Sequence, residues 1–157
     1  MIISDVRTDH PALARRYAAR PLDWSRAPIF DPSSRWYARL ATEDDHEAWL
    51  LTSLPGQGTD LHDHGGSVGA FHVLSGTLTE DTVQATDPAS PRITARELGE
   101  GAGRRFGSQH IHRITNVSGR PAISIHVYGP ALTTMTRYRI TAGALDVVAV
   151  EQAGIQW

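Results

Sequence analysis

Cysteine and lysine are both absent from the 157 residues, and each absence removes a class of chemistry. Without cysteine, the chain forms no disulfide, offers no thiolate to a metal or Fe–S cluster and has no thiol nucleophile. All 15 basic residues are arginine, which excludes a Schiff-base lysine and a P-loop lysine. Catalysis or binding by this chain must therefore rely on other side chains.

A strong charge of one sign and a long apolar run are also missing. The formal net charge is −2, which gives no electrostatic reason to expect a nucleic-acid partner. No stretch approaches the roughly 20 apolar residues of a membrane span, and the first residues lack the pattern of a secretion signal. We therefore expect a cytoplasmic protein without nucleic-acid or membrane partners, either monomeric or a weak homo-oligomer.

The period of the hydrophobic pattern changes once along the chain. Residues 1–34 read as a small helical and irregular region, with a helix over 9–19 capped by Asp9. From 35 to 151 the pattern predicts short strands separated by Gly and Pro. The predicted strands are 36–41, 47–53, 68–74, 77–86, 93–98, 110–116, 122–128, 134–141 and 145–151. This indicates a single all-β domain over 1–157, a double-sheet jelly-roll barrel with a small N-terminal helical region.

Two of the 8 histidines, His62 and His64, are separated by a single residue, Asp63. Residues two apart on a strand point to the same face, so both imidazoles can meet one cation. Asp63 would then point to the opposite face and is not expected to be a ligand. A single His-x-His pair is weak evidence, and most isolated histidines in proteins lie on the surface or are satisfied within the core.

The residues around this pair follow the spacing of the two cupin motifs. Gly56, five residues, His62-x-His64 and, later, Gly76 reproduce the first motif, with Gly69 in place of its glutamate. The second motif is degenerate and leads to His112 and Asn116. Two such motifs within an all-β pattern predict a metal site. His110 shares a strand face with His112, but the spacing to Asn116 favours His112.

The predicted ligand set contains no carboxylate. Three neutral imidazoles leave the full +2 charge on a metal and about three positions open in an octahedral shell. Such an ion attracts an anionic, chelating ligand and can still accept dioxygen. Zinc with three histidine ligands, as in hydrolytic or lyase sites, is the alternative.

Beyond these motifs, the sequence resembles the cysteine dioxygenases, the thiol dioxygenase branch of the cupins, and especially their bacterial members. The resemblance spans roughly residues 35–140. Its matching segments are Tyr37-Ala38-Arg39, residues 61–67 (LHDHGGS), 74–80 (LSGTLTE), 110–116 (HIHRITN) and 121–130 (PAISIHVYGP). Together these segments are far more specific than a cupin match alone.

The resemblance implies Fe(2+) held by His62, His64 and His112. L-Cysteine would bind through its sulfur and amine, and dioxygen would supply both oxygen atoms of the cysteine sulfinic acid product. The substrate-binding residues implied are Arg39, Tyr37 and Tyr128. The catalytic residues implied are Ser124, His126 and Tyr128, which strand alternation would place on one face.

One departure from the family pattern concerns Gly69. Animal members carry a cysteine there that crosslinks to the tyrosine, and a chain without cysteine forms no such thioether. The identity of the arginine bears on the predicted substrate. Relatives that oxidise 3-mercaptopropionate carry Gln at the position of Arg39, so Arg39 favours cysteine, but Arg35 or Arg137 could take its place. A zinc or manganese cupin isomerase and a non-catalytic metal-bearing cupin that binds a small molecule are the alternatives of other classes.

Overall fold

The structure is a computed structural model that describes residues 7–152. Helix α1 spans His10–Ala18, and a 3-10 helix spans Pro21–Asp23. The strands are β1 Trp36–Thr42, β2 Glu47–Ser53, β3 Leu61–His62, β4 Val68–Ser75, β5 Leu78–Gln84, β6 Arg92–Leu98, β7 Gly103–Phe106, β8 Ile111–Thr115, β9 Ala122–Gly129, β10 Thr134–Thr141 and β11 Ala144–Gln152. The extent of the single domain predicted over 1–157 stays a prediction.

The strands form two antiparallel sheets. One has five strands in the order β1-β2-β9-β4-β7, and the other has six in the order β11-β10-β3-β8-β5-β6. Strands distant in sequence lie side by side in both, as β9 does between β2 and β4. The prediction of an all-β, double-sheet fold with a short N-terminal helix is confirmed.

Strand β9 buries both of its faces, and its alternation separates structural from chemical side chains. Ile125 and Val127 are fully buried against Ala14 and Ala18 of α1. Burial of each such aliphatic side chain contributes about 1.5–3 kcal/mol. The alternate residues Ser124, His126 and Tyr128 face the other way and line a cavity between the sheets. The helix therefore holds from behind the strand that carries part of the candidate site.

Helix α1 begins as its sequence predicts. The Asp9 carboxylate accepts a hydrogen bond from the Ala12 amide at 3.0 Å, and Pro11 occupies the first turn. The helix is tied to the sheet through Tyr17, whose hydroxyl lies 2.9 Å from Nε2 of His46. Within residues 7–152, no helix has the length and hydrophobicity needed to cross a bilayer.

Two strands were not predicted. Strand β3 has only two residues, too few to show an alternating pattern. Strand β7 lies between the predicted strands 93–98 and 110–116, where Gly103 to Phe106 pair with His72 to Gly69 of β4. Long-range pairing decides both strands, and local residue preferences do not report it.

Candidate metal centre

Three histidines from separate segments meet between the sheets. His62 ends β3 and pairs directly with His112 of β8. His64 lies two residues beyond the end of β3. The turn after the strand therefore brings its imidazole toward that of His62. Asp63 fixes that turn, because its carboxylate accepts from the Thr136 amide at 3.1 Å and from the Tyr138 hydroxyl at 2.7 Å. Asp63 therefore points away from the cluster.

The three rings lie close enough to share one ion. One ring nitrogen from each of His62, His64 and His112 lies within 4.8 Å of the other two. The Nε2 atoms of His64 and His112 are 3.3 Å apart. All three side chains are buried, so bulk water cannot separate these nitrogens.

Hydrogen bonds from Nδ1 of His62 and of His112 leave Nε2 of each ring facing the centre of the cluster. Nδ1 of His62 donates to the Asp60 carbonyl at 2.8 Å, and Nδ1 of His112 donates to the Glu80 carboxylate at 2.7 Å. Burial, reinforced by the neighbouring histidines, lowers the pKa of His62 and His64 well below the usual value, and burial also lowers the pKa of His112. Neutral rings then turn lone pairs toward one point, and this donor set fits a divalent metal ion.

A buried carboxylate, Glu80, stands behind the cluster. Its oxygens lie 2.7 Å from His112 Nδ1, 3.2 Å from His110 Nε2 and 2.7 Å from Arg104 Nε. Burial alone would raise the pKa of Glu80, but these hydrogen bonds outweigh it and hold the pKa far below its usual range. Glu80 therefore stays ionised and orients the His112 ring.

Glu80 was not among the predicted site residues. Glu80 is too far along the chain to fill the place of the cupin glutamate, and it does not join the three-histidine group. It reaches His112 from behind, because β5 pairs with β8 and brings Thr82 opposite His112. One signal was present in the sequence. Glu80 shares a strand face with Leu78, and a glutamate at a core-facing position requires a buried partner.

We predict that Glu80→Gln lowers metal affinity by about 10–100-fold, because a neutral amide orients and polarises the His112 ring less than a carboxylate does. The measurement is the dissociation constant from competition with a chelator, which needs no turnover. Asp81→Asn is the matched control, since the Asp81 carboxylate on the next residue binds Arg113 at 2.6 Å instead. Equal metal affinity in parent and Glu80→Gln would contradict this role.

His110, the other candidate for the third ligand, lies outside the three-histidine group. Its ring stacks on Phe106 with centroids 5.7 Å apart, and its Nε2 bonds Glu80. It does belong to a second group of close polar atoms, formed with Glu80 and His112. The structure thus places His110 next to the carboxylate that holds His112.

The space beside Gly69 is occupied by other parts of the chain. A Cβ atom on this residue would overlap the Val127 carbonyl oxygen and lie 2.9 Å from the Phe106 ring. Phe106 also stacks on His64, with centroids 4.5 Å apart. An aromatic ring therefore packs the side of the cluster where the cupin motif places a glutamate.

His62 and His112 also line a cavity of about 120 Å³. This volume corresponds to roughly four water molecules, so it suits a small ligand. Other lining residues are Arg35, Tyr37, Trp49, Ser124, His126 and Tyr128. The structure therefore brings the predicted Tyr37 and Tyr128 beside the metal-binding histidines.

Arg39 is absent from the residues that line this cavity. Its guanidinium lies over the Trp49 ring, 5.6 Å from the centroid, and 4.0 Å from the buried carboxylate of Glu47. More than half of the Arg39 side chain, 55 %, is exposed. Arg35, four residues earlier, lines the cavity instead, and its guanidinium lies over the Tyr37 ring. The structure therefore places Arg35 in the lining of the cavity, whereas Arg39, the arginine singled out from the sequence, lies outside it.

Ser124, His126 and Tyr128 form a row on β9, as strand alternation predicts. Ser124 Oγ lies 3.0 Å from His126 Nε2, and the Tyr128 hydroxyl lies 3.4 Å from His126 Nδ1. Burial is the main cause that lowers the pKa of His126 to about 3 and raises the pKa of Tyr128. A neutral imidazole donates from one nitrogen only. If Ser124 donates to Nε2, then Nδ1 donates to Tyr128 and the phenol proton is left for the cavity.

Two antiparallel sheets enclosing a histidine cluster that fits a metal ion define the protein as a metal-binding cupin. The sequence matches the family described as cysteine dioxygenase type I over residues 5–140. The chain belongs to the cysteine dioxygenase type I family.

Curated relatives point to the same family. The chain is 29 % identical over 131 residues to cysteine dioxygenase type 1 of Rattus norvegicus, covering 78 % of this chain and 64 % of the relative. The Homo sapiens enzyme of the same name is 28 % identical over the same coverage. The chain thus spans 64 % of the length of these relatives.

Solved structures share the fold at low sequence identity. The protein TT1209 from Thermus thermophilus superposes with a TM-score of 0.57 at 20 % identity, covering 66 % of this chain and 90 % of that one. A conserved protein with a double-stranded β-helix domain from Klebsiella pneumoniae has a TM-score of 0.55 at 14 % identity, covering 79 % and 99 %. At these identities the similarity establishes the fold alone.

Proposed function

We propose that the protein is an iron-dependent thiol dioxygenase that oxidises L-cysteine with dioxygen to cysteine sulfinic acid. One observation carries the proposal. One small cavity brings together His62 and His112 of the histidine cluster, the phenol of Tyr128 and the guanidinium of Arg35, which has no carboxylate partner among residues 7–152. Membership of the cysteine dioxygenase type I family supports the same chemistry.

We infer that the ion is Fe(II), held by His62, His64 and His112. A neutral three-imidazole set leaves the ion with its full charge and with open positions for an anionic ligand. When bound, iron supplies a Lewis acid for a thiolate and a redox partner for dioxygen. The Glu80 carboxylate and the Asp60 carbonyl keep two of the imidazoles in the orientation that this binding needs.

Arg35 is proposed to bind the substrate carboxylate in place of Arg39. Its fork of N–H donors matches the two oxygens of a carboxylate, and the partly buried setting strengthens the pair. Burial lowers the pKa of Arg35, while the guanidinium stays charged at neutral pH. Tyr37 lies beneath the guanidinium, 5.5 Å away, and limits its movement.

Tyr128 is proposed to donate its phenol proton as a hydrogen bond to the oxygen that is being transferred. Its raised pKa keeps the proton on the phenol at neutral pH. The row from Ser124 through His126 orients the hydroxyl without being consumed. Such a preorganised donor stabilises charge that develops on oxygen. In the overall reaction both oxygen atoms end on sulfur, which loses four electrons while dioxygen gains four.

A paired measurement of oxygen uptake and sulfinate yield tests the proposed function. The Fe(II)-loaded parent is expected to consume one dioxygen per L-cysteine converted. Tyr128→Phe is expected to keep iron and cysteine binding but to react about 10–100-fold more slowly and to consume more oxygen per sulfinate, because the oxygen is less well held. Failure of the loaded parent to oxidise any small thiol would refute the proposal.

The same assay separates the alternatives. Faster oxidation of 3-mercaptopropionate than of L-cysteine would reassign the substrate, and binding of thiols without oxygen uptake would indicate a non-catalytic cupin. An unchanged rate and stoichiometry in Tyr128→Phe would remove Tyr128 from the mechanism. The intact mass should equal the sequence mass, since the chain has no cysteine for a thioether crosslink. The cytoplasmic location and the monomeric or weakly oligomeric state stay predictions.

A further inference from the structure

A second arginine, Arg137, lines the same cavity. It lies directly opposite His62 in the pairing of β10 with β3. Unlike Arg35, it is held by two carboxylates. Its Nε donates to Glu151 at 2.7 Å and its Nη1 donates to Asp60 at 3.2 Å. The two arginines of the cavity therefore differ in how much of their charge remains available to a ligand.

The carboxylates near each arginine explain this difference between Arg35 and Arg137. Glu151 and Asp60 together more than offset the +1 of Arg137, and Glu151 is the stronger partner because the Asp60 side chain is 74 % exposed and screened by solvent. Arg35 contributes +1 that no carboxylate in the described part of the chain offsets. Burial works against the charge of Arg137, but the bonds to Glu151 and Asp60 outweigh it and raise the pKa of Arg137. A ligand carboxylate is therefore attracted more strongly to Arg35 than to Arg137, whose charge Glu151 offsets.

We propose that Glu151, acting through Arg137, restricts the cavity to thiols that carry a single carboxylate. Glu151 is thus a positioning residue for substrate specificity. With Glu151 neutral, the guanidinium would regain charge for a second carboxylate of the ligand. The consequence for oxidised substrates rests on the proposed thiol dioxygenase function, whereas the consequence for binding can be tested without turnover.

The position of Glu151 follows from the last two strands. Glu151 lies opposite Met135 in the pairing of β11 with β10, which makes it a diagonal neighbour of Arg137 on the same face. Only 20 % of its side chain is exposed, so the ion pair is partly shielded from solvent. Residue 151 lies outside the residues 5–140 that match the family, and the family match gives it no role.

The test compares two ligands that differ by one carboxylate. 3-Mercaptopropionate and mercaptosuccinate share a thiol and a carboxylate, and mercaptosuccinate carries a second carboxylate. Both are titrated calorimetrically, without dioxygen, into the Fe(II)-loaded parent, Glu151→Gln and the control Glu97→Gln, which alters an exposed residue of the outer strand β6. We expect about a tenfold preference of the parent for 3-mercaptopropionate and a reduction of this preference by about tenfold in Glu151→Gln only.

Further variants keep the outcome decisive. Asp60→Asn should shift the preference in the same direction, and Arg137→Gln added to Glu151→Gln should abolish the shift. An unchanged preference in both single variants, or equal weakening of both ligands, would overturn the proposal. Oxygen uptake with L-cysteine is measured in parallel. If the parent oxidises no thiol, the proposed function fails, while the ratio of binding constants still decides the role of Glu151.

Discussion

Replacement of His112 by alanine is expected to lower metal affinity by more than about 100-fold and to abolish thiol oxidation with it. Removal of even a residue that supports a metal ligand costs about 10–100-fold, and loss of one of three ligands should cost more. His62→Ala and His64→Ala are expected to behave alike, because the three nitrogens converge within 4.8 Å. The measurement is iron content per chain after dialysis against a weak chelator, followed by oxygen uptake with L-cysteine.

His110→Ala is the matched control for this prediction. His110 is a histidine two positions away on the chain. Its Nε2 bonds Glu80 and its ring lies edge-on to His112, but it does not join the three-histidine group. The variant should retain iron, with at most a modest loss of affinity through Glu80. Full iron occupancy in His112→Ala, or loss of iron in His110→Ala alone, would show that the third ligand is His110.

Arg35→Ala is expected to lower kcat/KM for L-cysteine by about 100-fold, mainly through a higher KM. Loss of a charge-assisted pair in a partly buried site costs about 2–3 kcal/mol, which corresponds to this factor. Arg35→Lys should recover only part of the loss, because an ammonium group cannot match both carboxylate oxygens. Initial rates of oxygen uptake at varied cysteine concentration provide the measurement.

Arg39→Ala provides the comparison for Arg35→Ala. Arg39 is largely exposed and pairs with Glu47, so its removal should change KM for L-cysteine by less than about threefold. Cysteamine, which has no carboxylate, should be a poor substrate, and its rate should fall little in Arg35→Ala. A large rise of KM in Arg39→Ala with none in Arg35→Ala would restore Arg39 as the substrate-binding residue.

The sequence was sufficient for local features whose physical cause is local. The Asp9 cap and Pro11 specify the start of α1, and both act within one turn. Alternation placed Ser124, His126 and Tyr128 on one face, since that period is a property of any strand. The cupin spacing singled out the three histidines that the structure brings together. The first two inferences depend on residues within a few positions of one another. The third depends on the spacing within each of two motifs, whose histidines His64 and His112 are 48 residues apart.

Other features depend on which strands become neighbours. Glu80 supports His112 because β5 pairs with β8, and Phe106 packs beside Gly69 because β7 pairs with β4. Neither pairing has a local signature, because the hydrogen bonds of a sheet join backbone groups that every residue carries. The turn after β3 is a similar case, since contacts of Asp63 with β10 shape it.

The arginines show most clearly which features the sequence determines and which the tertiary structure determines. The sequence by itself determined that arginine is the only side chain in the protein with a permanent positive charge, because the chain contains no lysine. The sequence could not choose between Arg39, which lies within the predicted strand 36–41, and Arg35, which directly precedes it. Tertiary structure made that choice. The carboxylate of Glu47 reaches Arg39, Glu151 and Asp60 occupy Arg137, and Arg35 faces the cavity without such a partner among residues 7–152. The charge that an arginine offers to a ligand depends on its neighbours in space, and only the folded chain brings those neighbours together.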